Sequence, residues 1–369
     1  MSANVISLSQ HFKPKTSSTT NFLNCFAHHR KDQNDVFWLK ENAEILNIFE
    51  CCGLGQKAQI VECYQPFYHS LSDRISFFPQ YYRFLTSIAL DLEALGMEGS
   101  IAEQLCQFVA KQGVHDLELS DLQRAEAMRL LARRNIPVQD ADALVARLHA
   151  FMDQSAHFAL PNRKTAYELT HIVFYLSEYG RRDPNLSTAA IQSLMFTGIL
   201  AHLDENADLL SEICIALRYA GQTPPEQWEE LINQRIDLFT IEPCSAVEGS
   251  DQYHEYFVAN WARAESGKVS FSAPVGEGAQ LFSRPEFSVR AMRALSQVLF
   301  ERPDFRNASW GANESNLMEL LPNEIGAHLR SVASATSEFE AFFELFARPD
   351  VPGLASHDHK NLDRKGAAF

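Results

Sequence analysis

Cysteine pairs of the kind that build a disulfide framework or a zinc knuckle are missing from this chain of 369 residues. Its seven cysteines are odd in number, and no two of them stand in a Cys-x-x-Cys pair. An even set of disulfides and a cysteine-ligated zinc are therefore both disfavoured. Reduced thiols, as found in a cytoplasm, are the simpler interpretation of this cysteine usage.

Long apolar runs and an excess of basic residues are missing as well. No window of about 18 uninterrupted apolar residues occurs, and residues 1–20 hold no apolar stretch of the signal-peptide kind. Acidic residues outnumber basic ones by 47 to 32, which gives a formal net charge of −15. This charge disfavours binding to nucleic acid or to an anionic membrane. We predict a cytoplasmic protein, without a membrane span, that acts on a small molecule or a peptide.

The loop motifs of several large enzyme classes are absent too. The chain has no Walker A loop, no Rossmann glycine fingerprint and no Gly-x-Ser-x-Gly elbow. Strand signals are few, since no alternating run is bounded by an Asn-Gly or Asp-Gly turn. Apolar residues at helical spacing recur instead, and 46% of the chain is hydrophobic. The pattern predicts an all-α protein with about a dozen helices.

Three helix-like segments, 166–184, 207–225 and 251–261, lie about 41 residues apart. Aligned at an offset of 41, the first two are identical at six of nineteen positions, including a Gly stop and a Pro beyond it. Return helices are predicted between them, at 187–203 and 226–241. Helical hairpins that repeat in this way favour an α/α toroid, and an irregular multi-helix bundle is the alternative.

The predicted organisation has three parts. Residues 1–22, rich in Ser, Thr and Asn, are expected to form a mobile arm. Residues 23–350 form a single all-helical domain, and its site region is expected at 160–265. Residues 351–369 are expected to be a flexible tail.

The three segments carry potential metal ligands at matching levels. His171 aligns with Glu212, and His254 falls one residue beyond a further repeat. Two imidazoles and one carboxylate leave coordination positions open on zinc or ferrous iron. We predict a mononuclear site of His171, Glu212 and His254, where a bound water is deprotonated or a substrate oxygen is polarised.

Further polar and aromatic residues are placed around the predicted metal. Asp208 and Glu168 lie about one helical turn from the ligands and are assigned to proton handling. Asp251 is a second candidate for orienting an imidazole. Tyr253 and Tyr175 are expected to line a pocket beside the ligands, Tyr253 as a candidate catalytic group.

Two other interpretations use the same residues. The pairs Glu168-x-x-His171 and Asp251-x-x-His254 have the i, i+3 spacing of di-iron carboxylate bundles, which predicts an oxidase. Alternatively, the repeated hairpins form a binding or scaffold surface without chemistry, and the polar faces are merely solvated. An enzyme requires bound metal and an interior polar cavity, whereas a scaffold requires neither.

The segment DQYHEYF, with Asp251, Tyr253 and His254, resembles a stretch of the catalytic subunit of protein prenyltransferases. In that family, as in the related terpenoid cyclases, the helices form an α/α toroid, and the prenyltransferase histidine binds zinc at its mouth. The segment ELTHIVFYLSEYG is similar to a stretch of uncharacterised bacterial helical families. These resemblances imply the fold more than the reaction. The prediction is a metal-dependent bacterial enzyme of unknown substrate.

Overall fold

The computed structural model describes residues 18–54, 61–245, 247, 251–286, 290–306 and 309–348. Within these ranges the chain forms seventeen α-helices and one two-stranded sheet, which confirms the all-α prediction. The first helix begins at Ser18 and fully buries Phe22, so residues 18–22 belong to the folded part of the chain. The remainder of the predicted arm, 1–17, and the predicted tail, 351–369, lie outside the described residues.

The helices are α1 (Ser18–Asn24), α2 (Val36–Cys51), α3 (Gln65–Phe77), α4 (Tyr82–Ala94), α5 (Ile101–Gln112), α6 (Asp121–Ala132), α7 (Ala141–Met152), α8 (Ser155–Phe158), α9 (Arg163–Leu176), α10 (Thr188–Leu203), α11 (Ala207–Tyr219), α12 (Glu226–Asp237), α13 (Tyr253–Glu265), α14 (Ala291–Glu301), α15 (Trp310–Leu320), α16 (Asn323–Ala335) and α17 (Phe339–Ala347). The strands are β1 (Thr240–Pro243) and β2 (Gln280–Ser283), which pair antiparallel with Thr240 opposite Ser283.

The three repeated segments form α9, α11 and α13, and the two return segments form α10 and α12, as predicted. Side-chain caps mark the beginning of α9 and of α11. Asn162 accepts a hydrogen bond from a backbone N–H of α9, and Asn206 accepts one from a backbone N–H of α11. The shared glycines follow the helix ends. Gly180 and Gly221 have φ of 80° and 71°, a left-handed conformation that favours glycine.

Six helices contact one another in a closed circle, and each of them contributes to the wall of one cavity. α9 packs on α11, α11 on α13, α13 on α2, α2 on α4, α4 on α6, and α6 packs back on α9. Along the chain these helices alternate with others: α3 follows α2, α5 follows α4, and α10 and α12 separate α9, α11 and α13. The toroid stays a prediction, and this closed circle of contacts supports it.

An aromatic core joins the start of the chain to the last helix of the circle. Phe22 of α1 contacts Phe257 of α13 edge to face, with 5.3 Å between ring centroids, and Phe26 contacts the same ring at 5.5 Å. Phe282 of β2 is fully buried beside them. The two-stranded sheet therefore lies against α13, and its strand β1 begins at Thr240, inside the segment 226–241 that was predicted to be wholly helical. Among the described residues, no helix combines the length and apolarity needed to cross a bilayer.

Candidate metal site and adjoining cavity

Asp208 and Glu212 lie one turn apart on α11 and face His254 in the first turn of α13. Nε2 of His254 is 3.4 Å from Oδ1 of Asp208 and 3.9 Å from Oε1 of Glu212. One ligand atom from each of the three residues lies within 4.8 Å of the others. Two carboxylates and one imidazole therefore converge, because α11 and α13 pack side by side.

Helix α9 orients both carboxylates. The hydroxyl of Tyr167 donates to Oδ2 of Asp208 at 2.5 Å, and the hydroxyl of Thr170 donates to Oε2 of Glu212 at 2.5 Å. The other oxygen of each carboxylate, Oδ1 of Asp208 and Oε1 of Glu212, faces His254. Oδ1 of Asp208 is buried and accepts no hydrogen bond within the described part of the chain. This arrangement directs two carboxylate oxygens at one point.

Glu44 of α2 lies on the other side of the His254 ring. Its Oε2 is 3.5 Å from Nδ1 of His254 and accepts a hydrogen bond of 2.7 Å from the hydroxyl of Tyr253. A carboxylate at Nδ1 favours the tautomer whose Nε2 carries the lone pair, and this geometry is common around metal-binding histidines. Glu44 thus orients His254 towards Asp208 and Glu212.

The charges of the cluster shift the pKa of its members. Burial raises the pKa of Glu212, and the negative charge of Asp208 adds to that effect, although His171 and His254 act against it. Burial alone would lower the pKa of His254, but Glu44, Asp208 and Glu212 outweigh it and raise the pKa to about 10. The same contact with His254 keeps the pKa of Glu44 below its ordinary value despite burial. In the absence of other ligands, an imidazolium is the cation that these carboxylates share.

His171 lies beside the cluster and lines the same cavity as Glu212 and His254. Its Nδ1 is 2.7 Å from the backbone oxygen of Tyr167. Because a carbonyl oxygen only accepts, Nδ1 must carry the proton, and Nε2 remains for a ligand or a proton. The three side chains whose ligand atoms converge are Asp208, Glu212 and His254. The predicted set has His171 in place of Asp208.

The cavity next to the cluster has a volume of about 240 Å³. Each helix of the circle contributes to its wall, for example through Asn47, Phe84, Arg129, Tyr175, Glu212 and His254. Tyr175 therefore lines a pocket, as the sequence analysis predicts. A cavity that combines aromatic walls with a few polar groups is typical of sites for small ligands.

A larger cavity of about 330 Å³ includes Asp204, His157 and Arg163. Burial raises the pKa of Asp204. No group of three metal-ligating side chains converges there among the residues that the structure describes. The smaller cavity is therefore the better candidate for chemistry, although it is not the largest.

Three other predicted site residues have different surroundings. Glu168 is not part of the cavity wall and lies 3.8 Å from the Nζ atom of Lys164, at the surface of α9. The carboxylate of Asp251 binds Arg30 at 2.7 Å and accepts the backbone N–H of Phe282 at 2.9 Å. Asp251 thus joins the start of the chain to β2 and does not orient His254. Tyr253 donates a hydrogen bond to Glu44, makes none with the three ligands and, contrary to the prediction, is not part of the cavity wall.

Two residues of the site, Glu44 and Arg129, are missing from the sequence analysis. Glu44 stands in the apolar helix segment VFWLKENAEILNIFEC, where a carboxylate among apolar positions is a signal that a site is near. Arg129 lies in the segment LSDLQRAEAMRLLARR, which carries no motif that points to a site. Yet its side chain is buried in the cavity wall.

The chain belongs to a family described as a domain of unknown function, DUF6902, whose family model matches residues 2–349. The match extends over all seventeen helices and over the whole candidate site. It confirms the prediction of a helical family without an assigned activity. No curated protein and no solved structure matches the chain significantly. The function must therefore be argued from the side chains themselves.

Proposed function

We propose that the protein is a metal-dependent enzyme in which Asp208, Glu212 and His254 bind one divalent metal ion. The observation that carries the proposal is the convergence of these three side chains from α11 and α13, with ligand atoms within 4.8 Å of one another. Two carboxylates balance the two positive charges of the ion, and Nε2 of His254 supplies a neutral donor once its proton is displaced. Zinc and ferrous iron both accept this combination of oxygen and nitrogen ligands.

Supporting contacts favour a functional cluster over an ordinary buried ion pair. Tyr167 and Thr170 each occupy one oxygen of a ligand carboxylate, and Glu44 occupies the far side of the His254 ring. Every proposed ligand thus has a neighbour that fixes its orientation, as in known metal sites. A cluster that served only to neutralise His254 would not need three carboxylates.

The cavity gives a bound ion access to a substrate. Glu212 and His254 both line it, and so does His171. A metal ion with three protein ligands polarises a substrate oxygen or lowers the pKa of a bound water. Nε2 of His171, which makes no hydrogen bond within the described residues, is placed to accept or donate a proton beside the cluster.

The contacts do not favour the two alternatives. A di-iron site needs Glu168 and Asp251 next to the histidines, whereas Glu168 faces Lys164 and Asp251 binds Arg30. A scaffold does not need an interior cavity with a buried carboxylate such as Glu212, which is only 3% exposed. We therefore retain the mononuclear site, with His171 beside it and Asp208 as the third ligand.

The test is elemental analysis of the purified, untagged protein after loading with zinc or, without oxygen, with ferrous iron. We expect close to one equivalent of metal, lost in Asp208→Asn and in His254→Gln. Glu168→Gln and His157→Gln are the matched controls, since neither residue lines the smaller cavity beside the cluster, and they should retain the metal. Two equivalents of iron would favour the di-iron site, and no metal in the wild type would exclude the proposal.

A further inference from the structure

Arg129 of α6 is a buried cation in the wall of the cavity. The residue is only 2% exposed, and its Nε and Nη2 atoms are buried without a hydrogen-bond partner among the described residues. No carboxylate of the described residues lies within ion-pair distance of it. It stacks on the ring of Tyr179, whose centroid is 4.2 Å from the guanidinium carbon. Stacking on a tyrosine offsets only part of the cost of burying this charge.

The other deeply buried arginines of the described chain have carboxylate partners. Arg30 is 6% exposed and binds both Glu41 and Asp251. Arg235 is also 6% exposed and lies 3.1 Å from Glu205. Arg129 is comparably buried and yet lacks such a partner among the described residues, although it borders open space in the cavity. A guanidinium in this state is suited to receive an anionic group from a ligand.

Asn47 of α2 supplies a second donor in the same wall. The residue is 8% exposed, and its Nδ2 atom is buried without an acceptor among the described residues. The guanidinium nitrogens of Arg129 and the amide nitrogen of Asn47 donate hydrogen bonds and cannot accept them. The chemical complement of two donors, one of them charged, is a group that only accepts and carries a negative charge. A carboxylate meets this description.

The two ends of the cavity differ in charge. From His171 the ring contacts run to Tyr175 at 6.1 Å and on to Tyr179 at 6.3 Å, and Arg129 stacks on Tyr179. The carboxylates of the candidate metal site thus lie at the His171 end, and the guanidinium of Arg129 lies at the Tyr179 end. Glu126 and Arg83 also line the cavity, but they neutralise each other in an ion pair. The carboxylates at the His171 end repel an anionic group of a ligand, and Arg129 at the Tyr179 end attracts it. This difference orients the ligand along the cavity.

We propose that the cavity binds an organic carboxylate, with Arg129 holding the carboxylate group and Asn47 as a second donor, so that the rest of the ligand points towards Asp208, Glu212 and His254. As a statement about the substrate, this inference rests on the proposed metal-dependent function. As a statement about binding, it holds without metal. The aromatic wall, which includes Phe84 and Trp261, matches a ligand with an apolar body.

The probes are benzoate and benzamide, which have nearly the same shape but differ in charge. Their affinities are measured by calorimetry or ligand-observed magnetic resonance on full-length protein dialysed against a chelator. We expect benzoate to bind at least about tenfold more tightly than benzamide, since a charged hydrogen bond accounts for such a factor. Equal affinities for wild-type protein, or no binding of benzoate, would overturn the inference without any variant.

Variants assign the effect to Arg129. Arg129→Gln should remove the preference for benzoate, and Arg129→Lys should restore part of it. Arg147→Gln is the control, because Arg147 is exposed and pairs with Asp121 outside the cavity, and it should bind like the wild type. Circular dichroism and the melting temperature check that each variant folds.

The same titrations separate this inference from the proposed metal site. Asp208→Asn should still prefer benzoate in the chelated state, even if no metal is ever found in the protein. If benzoate binds only after zinc is added, requires Asp208 and ignores Arg129→Gln, then the carboxylate binds at the metal cluster and the inference is wrong.

Discussion

Nδ1 of His254 lies 3.5 Å from Oε2 of Glu44, a contact between the first helix of the circle and the last. The opposite nitrogen of the same ring faces the two carboxylates of α11. The contact between α2 and α13 closes the circle of helices and also completes the candidate site, because Glu44 of α2 orients His254 of α13.

Glu44→Gln should weaken metal binding without abolishing it. The amide does not attract the Nδ1 proton as a carboxylate does, so the basicity and the orientation of Nε2 both suffer. Outer groups of this kind change metal affinity by about 10- to 100-fold. The dissociation constant is measured by competition with a coloured chelator. Glu50→Gln, on the same helix but outside the cavity wall, should leave it unchanged, and equal effects of both variants would contradict the assigned role.

Thr170→Val should loosen Glu212 while preserving the shape of the side chain. The variant removes the hydroxyl that donates to Oε2 of Glu212. We expect about a tenfold loss in metal affinity, at the low end of such outer contacts. Thr188→Val, at an exposed position of α10, is the control. An unchanged affinity in Thr170→Val would show that packing alone holds Glu212 in place.

Glu212→Gln should abolish metal binding without lowering the stability of the metal-free protein. Burial raises the pKa of this carboxyl group, so a neutral amide of similar size removes an unfavourable buried charge. We expect a melting temperature of the metal-free variant that is not below that of the wild type. Wild-type protein should gain about 2.7 kcal/mol at a metal concentration of 100 times the dissociation constant, and the variant should gain nothing. A large loss of stability in the metal-free variant would mean that Glu212 serves the fold.

His202 should make the protein sensitive to mild acid, independently of the site. Burial, aided by the charge of His328, lowers the pKa of His202 to about 4. The folded state then binds this proton less tightly than the unfolded state, whose histidine titrates near pH 6.5. The contribution to the free energy of unfolding is complete above about pH 6.5 and is lost as the pH falls towards 4, with a slope of up to about 1.4 kcal/mol per pH unit.

The measurement is denaturant unfolding between pH 4 and 7 for wild-type protein, His202→Gln and the exposed-histidine control His157→Gln. The His202→Gln variant should show a shallower decline with acid than the other two. Parallel curves for all three proteins would place the acid sensitivity elsewhere.

Much of the helical framework is predictable from the sequence, because the helix signals there are local. The Gly stops at 180 and 221 and the apolar spacing identify α9 and α11 nearly to their ends. The offset of 41 also has a spatial meaning: Tyr167 hydrogen bonds to Asp208, 41 residues further on. Residues that lie one period apart in the sequence thus face each other on neighbouring helices of the circle.

The same period continues into the first half of the chain, where residue identity does not reveal it. Arg133 pairs with Asp91 across 42 residues, and Arg134 pairs with Glu93 across 41. These partners differ in chemical type, so an alignment of like with like does not detect them. The sequence analysis therefore limits the repeat to three helices, whereas the circle contains six.

The membership of the site is less predictable than its position. A repeat alignment gives the level of a residue along its helix but not the rotation of the helix about its axis. For that reason the repeat predicts His171 as a ligand and Asp208 as its neighbour, whereas the packing of α11 on α13 brings Asp208 into the cluster. Glu44 and Arg129 come from distant helices, and only the closed circle brings them to the cavity.

The proposed site holds one metal ion between Asp208, Glu212 and His254. The most direct test is anomalous diffraction at the metal absorption edge from crystals of zinc- or iron-loaded protein. The account predicts one strong peak within coordination distance of Oδ1 of Asp208, Oε1 of Glu212 and Nε2 of His254, and no such peak in Asp208→Asn. A peak elsewhere, or none in loaded wild-type crystals, would contradict it.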